Sequence, residues 1–454
     1  MAEKNTRIFE EMSPSQAVMT MAVPAIAGQL IVLFYNMADT FFVGRTGNPY
    51  MVAGASLILP VFNIALSLAG LAGIGGGALI SRLLGSKNPE EAQKVFSFSI
   101  WLGTAVAALF SFIMLVFMKP ILTVLGAGSQ TYEYACSYAL CVIVCGAIPT
   151  VLSNTLAHLL RSIGESGKAG LGVTMGGLIN IALDPLMMFV IMPKGMEITG
   201  AGLATVISNC LSCLYFAIVI HRLKDGVLKL RSPLRFPSAE SIKSVFGVGL
   251  PSSIVTFLFD YDYIVLDKLM SGYGDFALAA IGIVLKAERL PLNVGVGICQ
   301  GMVPIVAYNY SAKNYDRMNK VKRFALLFGL CVGLFSIVLY ELFASSIMRV
   351  FIDNETTVKL GTVFLKARCI ATPLMFFSFF HVHVFNGLGC GKYSLLLGLA
   401  RWLVFNIPML FILNRLVGMN GLVWSQAAAD FLNVILSFCV YRRFAYKNGL
   451  LNRK

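Results

Sequence analysis

The chain has 454 residues, of which 57% are hydrophobic and only 13% charged, about half the charged share of an ordinary soluble domain. That balance excludes a soluble globular enzyme and points to a polytopic membrane protein. The formal net charge of +14 would suit a polyanion partner such as nucleic acid, but the placement of the basic residues along the chain argues against one.

Residues 1–15, "MAEKNTRIFEEMSPS", are polar and amphipathic, and the first apolar run is a full span, so no signal peptide is expected. Twelve membrane spans follow from the apolar runs, near 16–44, 52–81, 95–118, 131–157, 169–192, 199–221, 243–270, 276–307, 321–343, 359–385, 394–414 and 420–441. Gly and Pro inside several spans are compatible with this, because neighbouring helices can re-satisfy the freed backbone groups.

The first span ends in "YNMADTFFVG" (35–44), which puts Asp39 in an otherwise apolar helix. A carboxylate at such a position costs about 2.5–3.5 kcal/mol or more, so it calls for a function. The second span carries Gly73-x-Gly75-x-x-Ala78, which fits a dinucleotide fingerprint in letters only. It has no preceding strand or acidic partner, and close helix packing through small residues explains it better. The fifth span, "GGLINIALDPLMMFV" (176–190), holds Asn180 and Asp184 one turn apart on one face, with Pro185 placed to open the local backbone. Cys210 and Cys213 in the sixth span match C-x-x-C without a second pair, and neither disulfides nor a metal are expected.

A basic, proline-containing stretch at 222–243 separates an N-terminal lobe (1–221) from a C-terminal lobe (244–454). In the seventh span "FDYDYIVLDKL" (259–269) contains Asp260, Asp262 and Asp267, the last a candidate partner for Lys268. The eighth holds Lys286, Glu288 and Arg289. Glu288 either faces a central cavity or pairs with one of those two cations. His381 and His383 in the tenth span lie two apart, a poor spacing for one metal on a helix, and read as hydrogen-bonded structural residues. In the eleventh span "WLVFNIPML" (402–410) keeps Asn406 but has no acid, and Arg401 is a candidate partner for Asp430 in the twelfth.

Alternate segments, starting from the N-terminus, hold 24 of the 36 Lys and Arg; the other set holds 7, and 5 lie within spans. The positive-inside rule then places both termini in the cytoplasm, and the basicity reports topology. The two halves also resemble each other at an offset near 225. "GIGGGALISRLLGSKNPEEAQK" (73–94) matches "GICQGMVPIVAYNYSAKNYDRMNK" (297–320), "RSIGESGK" (161–168) matches "NGLGCGK" (386–392), and Pro24 matches Pro251. An even number of spans separates the copies, so the repeat is parallel, as in two-lobed transporters whose site lies between the lobes. The fold class expected is therefore all-α, with twelve transmembrane helices in two parallel-repeat six-helix lobes around a central cavity.

Asp39 and Asp184 fall at similar depth in the first lobe. With an amide and a hydroxyl nearby they would form the oxygen-rich pocket that a hard cation prefers, or share a proton. The plainer reading has each Asp accepting local hydrogen bonds only. Tyr35 and Asn36, beside Asp39, are candidates for the substrate cavity together with Glu288. Abundant Phe, Met and Tyr suit promiscuous apolar recognition, though such residues also face lipid.

Pro24 with "YNMADTFFVG", "GGGALISRLLG" (75–85), "LRSIGESGK" (160–168), "NIALDP" (180–185) and "GAGLATVIS" (200–208) together resemble the multidrug and toxic compound extrusion (MATE) family, in particular its prokaryotic DinF- and MepA-type branch, over essentially the whole chain. The resemblance implies a Na⁺- or H⁺-coupled antiporter that exports cationic, amphipathic drugs or toxic organic compounds by alternating access from the prokaryotic cytoplasmic membrane. It implies a first-lobe cation site at Asp39, Asn180, Asp184 and Thr205, and a helix that bends at Pro24. Other branches place acids in the second lobe, and the lack of an acid in the segment around Asn406 argues against reliance on such a site here.

The expected partners are small cationic or amphipathic molecules and the lipid bilayer. No cofactor is expected beyond Na⁺ or H⁺ as coupling ion, and the chain is expected to act as a monomer without enzymatic activity. An alternative is a flippase or exporter of a lipid-linked or metabolic intermediate, for which a basic cavity would be needed.

Overall fold

A computed structural model describes residues 7–223 and 236–450; most of the expected linker, 224–235, lies outside the described residues. The spans are α1 (Pro14–Arg45), α2 (Pro49–Gly85), α3 (Pro89–Val116), α5 (Ser129–Ala139) with α6 (Ala147–Ser162), α7 (Ser166–Leu186), α8 (Glu197–Arg222), α9 (Ala239–Ser271), α10 (Asp275–Ser311), α11 (Tyr315–Phe351), α12 (Glu355–Cys369) with α13 (Thr372–Gly387), α14 (Gly391–Leu399) with α15 (Ile407–Val417), and α16 (Met419–Lys447); a short α4 (Met118–Val124) joins α3 to α5. Apolar side chains such as Phe112, Leu109, Phe335 and Leu342 cover the exterior, as lipid contact requires.

Two spans are not the straight rods their hydropathy suggests. The fourth bends by 47° between α5 and α6, and the tenth by 46° between α12 and α13. In the tenth, Pro373 at the start of α13 lacks an N–H and disfavours helical backbone in the residue before it. In the fourth, a π-helical turn at Leu140–Cys145 meets Gly146. The bends occupy the same place in each half, so the internal repeat survives in shape where the sequences have diverged. Further π-helical stretches follow Pro185 at Met187–Ile191 and end at Asn406 (Ala400–Asn406).

The α1 helix runs unbroken through Pro24. Gly170 lets α7 pack closely against this turn, because a Cβ there would lie 2.4 Å from the Pro24 carbonyl oxygen. Ser166 donates a 2.6 Å hydrogen bond to the Met21 carbonyl in the same turn, which supplies a donor where proline has thinned the helix's own ladder.

The two lobes interlock on the side of the membrane that holds both termini. Backbones meet there at glycine: a Cβ on Gly249 of α9 would lie 2.1 Å from the Leu71 carbonyl oxygen of α2, and one on Gly301 of α10 would lie 2.6 Å from the Ala22 nitrogen of α1. Such approaches maximise van der Waals contact where lipid offers no hydrophobic drive. Ser253 donates to the Ser67 carbonyl at 2.6 Å, Arg82 to the Ser244 hydroxyl at 2.9 Å, and Gln29 to Gln300 at 3.2 Å. Ahead of α1, Phe9 stacks on Tyr308 at 4.9 Å, and Arg317 holds the Phe9 carbonyl at 2.6 Å, so the N-terminal segment staples onto the second lobe.

Overpacking this seam should open it. Gly301→Leu is expected to cost the sealed arrangement about 1–3 kcal/mol, roughly a 5- to 150-fold shift toward separated lobes. Spin labels at Ser86 and Ala312 in a cysteine-free background would read this as a longer inter-lobe distance. An unchanged distance distribution would contradict it.

Candidate ion site and central cavity

Helical spacing assembles the first-lobe site. Tyr35 and Asp39 are one turn apart on α1, and Asn180 and Asp184 one turn apart on α7. Asn180 is 2% exposed, Asp184 0% and Thr205 7%. The Asn180 amide donates to Asp184 Oδ1 and to Thr205 Oγ1, both at 3.4 Å. Thr205 in turn donates to the Ala201 carbonyl at 3.2 Å. Asp39 Oδ2 accepts from the Tyr138 hydroxyl at 3.3 Å. Asp39 and Asp184 lie within electrostatic range of each other, and Tyr35 and Tyr138 within range of both.

What remains is a surplus of acceptors. Asp39 Oδ1, Asn180 Oδ1 and Asp184 Oδ2 are all buried, and none has a donor among the described residues. Leaving one buried polar atom unsatisfied costs about 1–3 kcal/mol, and more for a charged group. Three such oxygens, two of them carboxylate, suit a hard cation, which prefers oxygen ligands, or protons on the acids. The structure thus brings together the four residues expected at the site, and adds Tyr138. Nothing in the sequence around Tyr138 singles it out, because its hydroxyl reaches Asp39 from 99 residues away along the chain.

The second lobe holds a counterpart that the linear sequence hid. No acid stands near Asn406 along its own span, yet in space Asp262 of α9 does, with the Asn406 amide donating to it at 2.7 Å. The eleventh span itself carries no acid, as expected; the acid beside Asn406 comes from the seventh. Its surroundings differ from the first site in one respect: they contain cations. Arg401 pairs with Asp430 through two hydrogen bonds of 2.5 and 3.1 Å, as the sequence suggested. Gln426 donates to the same Asp430 at 2.8 Å.

Glu288 is also reassigned. It neither pairs with Lys286 nor lines the cavity, but accepts from Arg368 of α12 at 2.8 Å, with both side chains almost wholly buried. The partner comes from 80 residues away, beyond the reach of local spacing. Asn36 likewise turns from the cavity and donates to the Val32 carbonyl of its own helix at 2.8 Å. Tyr35 does line the cavity. His381 and His383 each place Nδ1 about 3 Å from a carbonyl one turn back, as expected of structural histidines, although His383 also faces the cavity. Asp267 has a buried, unpartnered Oδ1 among the described residues while Lys268 is exposed, so the expected pair is not formed.

The cavity itself, about 360 Å³, lies between the lobes, within the size range of small-molecule sites. Asn180 and Thr205 form part of its wall, so the surplus-acceptor pocket abuts it directly.

If the pocket is built for a cation, neutralising it by mutation should relieve strain. Asp184→Asn is expected to unfold at a higher temperature than the parent in Na⁺-free buffer, by about 1–3 kcal/mol. The parent should gain stability from added Na⁺ or from acidification, about 2.7 kcal/mol at a hundredfold excess over the dissociation constant, and the variant, left with the Asp39 carboxylate alone, markedly less from either. Thermal unfolding of the purified proteins in detergent measures both.

The MatE family model matches residues 24–186 and 244–412. The multidrug export protein MepA of Staphylococcus saprophyticus is 29% identical over 432 residues, covering 95% of this chain and 94% of that protein. MepA of Staphylococcus aureus (strain MRSA252) is 28% identical over 440 residues, covering 97% and 96%. A solved structure described as the outward-facing conformation of a multidrug resistance MATE family transporter of the MOP superfamily superposes with a TM-score of 0.92 at 23% identity, over 98% of each chain.

Proposed function

The chain belongs to the MatE family, and on that premise we propose that it is a secondary active antiporter exporting cationic or amphipathic organic compounds, drugs among them, in exchange for Na⁺ or H⁺. One observation supports the coupling: Asp39, Asn180 and Asp184 hold three buried oxygens without a donor among the described residues, and Asn180 carries that pocket to the wall of the inter-lobe cavity. The chain matches multidrug export proteins named MepA along nearly their whole length, and this supports drug-like compounds as the cargo.

In this reading the basic segments keep both termini in the cytoplasm, and the interlocked lobes seal the cavity on that side. An ion arriving from outside meets Asp39, Asn180, Asp184 and Thr205 and neutralises the first lobe. Once neutral, the pocket no longer opposes repacking of α1 against α7 and α8, and the lobes rock to expose the cavity inward. Return of the ion to the cytoplasm restores the charge and the outward preference. Such coupling requires only that the ion bind the two arrangements with different affinity. Pro24 gives α1 a weakened turn at which to bend, and residues 1–221 carry the ion site within a monomer.

Purified protein in liposomes, loaded with a cationic dye and given a Na⁺ or a pH gradient separately, tests the proposal. Efflux should follow one gradient, and Asp39→Asn and Asp184→Asn should each lower the driven rate at least tenfold. Parental gradient-driven efflux from both variants would falsify the site assignment.

A further inference from the structure

At the cavity end nearest the termini stands a cation without a counter-ion. Arg161, in the last turn of α6, is 4% exposed and lines the cavity. Among the described residues it makes no ion pair or side-chain hydrogen bond, and its Nε is buried without an acceptor. A buried charge lacking a partner is strongly destabilising, so the arrangement persists only if something repays it.

Among the described residues its polar neighbours in the cavity include no acid. His158, one turn earlier on the same face, lies within electrostatic range of both Arg161 and His383. His383 and Asn386 of α13 line the same cavity from the other lobe. These four are repeat partners: the match of 161–168 with 386–392 aligns Arg161 with Asn386, and the same offset aligns His158 with His383. The fold thus brings two copies of one motif to one cavity, and only the first copy is charged. No described Asp or Glu lines the cavity, and its other charged residue, Arg289, is engaged over the Tyr263 ring at 5.3 Å.

We propose that Arg161, with His158, His383 and Asn386 around it, forms a binding site for the anionic group, carboxylate or phosphate, of an amphipathic substrate, so that the cargo includes zwitterionic and acidic amphiphiles. Guanidinium binds such groups through two parallel N–H donors, and each bond is charge-assisted. The ion pocket at Asp39 and Asp184 lies toward the other end of the spans, so a zwitterion could set its anionic group at Arg161 while its apolar body occupies the cavity between. This inference rests on the transport reading only in taking the cavity as the substrate site.

A matched dye pair separates the two. Rhodamine 110 carries a free carboxylic acid, and rhodamine 123 is its methyl ester. With the full-length protein in detergent, fluorescence anisotropy should show Arg161→Gln weakening rhodamine 110 binding at least tenfold while rhodamine 123 stays within about twofold. Arg161→Lys should retain most of the acid's affinity. Asn386→Asp, a nearly isosteric change, should oppose the acid alone, and it carries the test if Arg161→Gln does not fold. Equal losses for both dyes would make Arg161 a support of the cavity wall and overturn the proposal, as would no loss for either. Displacement of rhodamine 110 by dodecyl phosphate but not dodecanoate assigns the site to a phosphate headgroup, and the reverse to a carboxylate; displacement by neither overturns it. Absence of gradient-driven rhodamine 123 efflux from the parent protein would instead remove the transport reading and leave the binding result standing.

Discussion

Asp39 and Asp184 share a pocket inside the membrane in which acceptors outnumber donors, and much of the molecule is arranged around that imbalance. The donors that reach the pocket's oxygens are few. Tyr138 serves one oxygen of Asp39, and the Asn180 amide is divided between Asp184 and Thr205 at 3.4 Å each. With Asp39 Oδ1, Asn180 Oδ1 and Asp184 Oδ2 all lacking a donor among the described residues, one more protein donor would still leave the pocket short. Because the pocket's own polar groups leave it incomplete, the surrounding helices must hold it together by packing.

The second lobe makes the same point by contrast. Its Asn406, the repeat partner of Asn180, meets Asp262 from the seventh span, but Arg401 and Arg368 stand in that lobe, and both are almost fully buried. These tethered guanidiniums answer Asp430 and Glu288 with charge-assisted hydrogen bonds. Removing one partner of such a pair leaves a buried charge and costs more than the pair contributes, so the network resists exchange with solution ions. The two halves of one internal repeat thus differ: the first lobe gathers buried acceptors without matching donors among the described residues, and the second answers its acids with arginines.

The sequence made the architecture legible because lipid imposes strong, local rules. Span length, loop charge and the repeat at an offset near 225 each follow from short stretches of chain. The first-lobe site was legible for a related reason: Asp39, Asn180 and Asp184 are polar residues in apolar helices, and Asn180 and Asp184 share a helix face. What stayed hidden depends on contacts between distant segments. Glu288 has two cations within two residues and pairs with neither, because α10 turns it toward Arg368 on α12. Asn406 seemed to lack an acid because its partner comes from 144 residues away. The bends in the fourth and tenth spans escaped notice since hydropathy registers the length of an apolar run and is blind to its direction.

The α1 helix links the pocket to the seam between the lobes. Its far half carries Asp39 and Tyr35, its near half presents Ala22 and Ile26 to Gly301 and Gly297 of α10, and Pro24 lies in the stretch that makes those contacts. A rigid helix would pass any tilt at Asp39 straight into the glycine seam, where a Cβ-sized displacement already meets backbone. A helix with one missing backbone hydrogen bond can instead absorb part of that tilt locally. Whether the seam opens then depends on how much of the pocket's electrostatic strain is relieved within α1 and how much is carried to α10. The Gly170–Pro24 contact and the Ser166–Met21 hydrogen bond bear on that division, since they brace the weakened turn against α7, the helix that also supplies Asn180 and Asp184. The ion pocket and the brace on α1 therefore share one supporting helix, and charge at one end of α7 and the shape of α1 at the other cannot change independently.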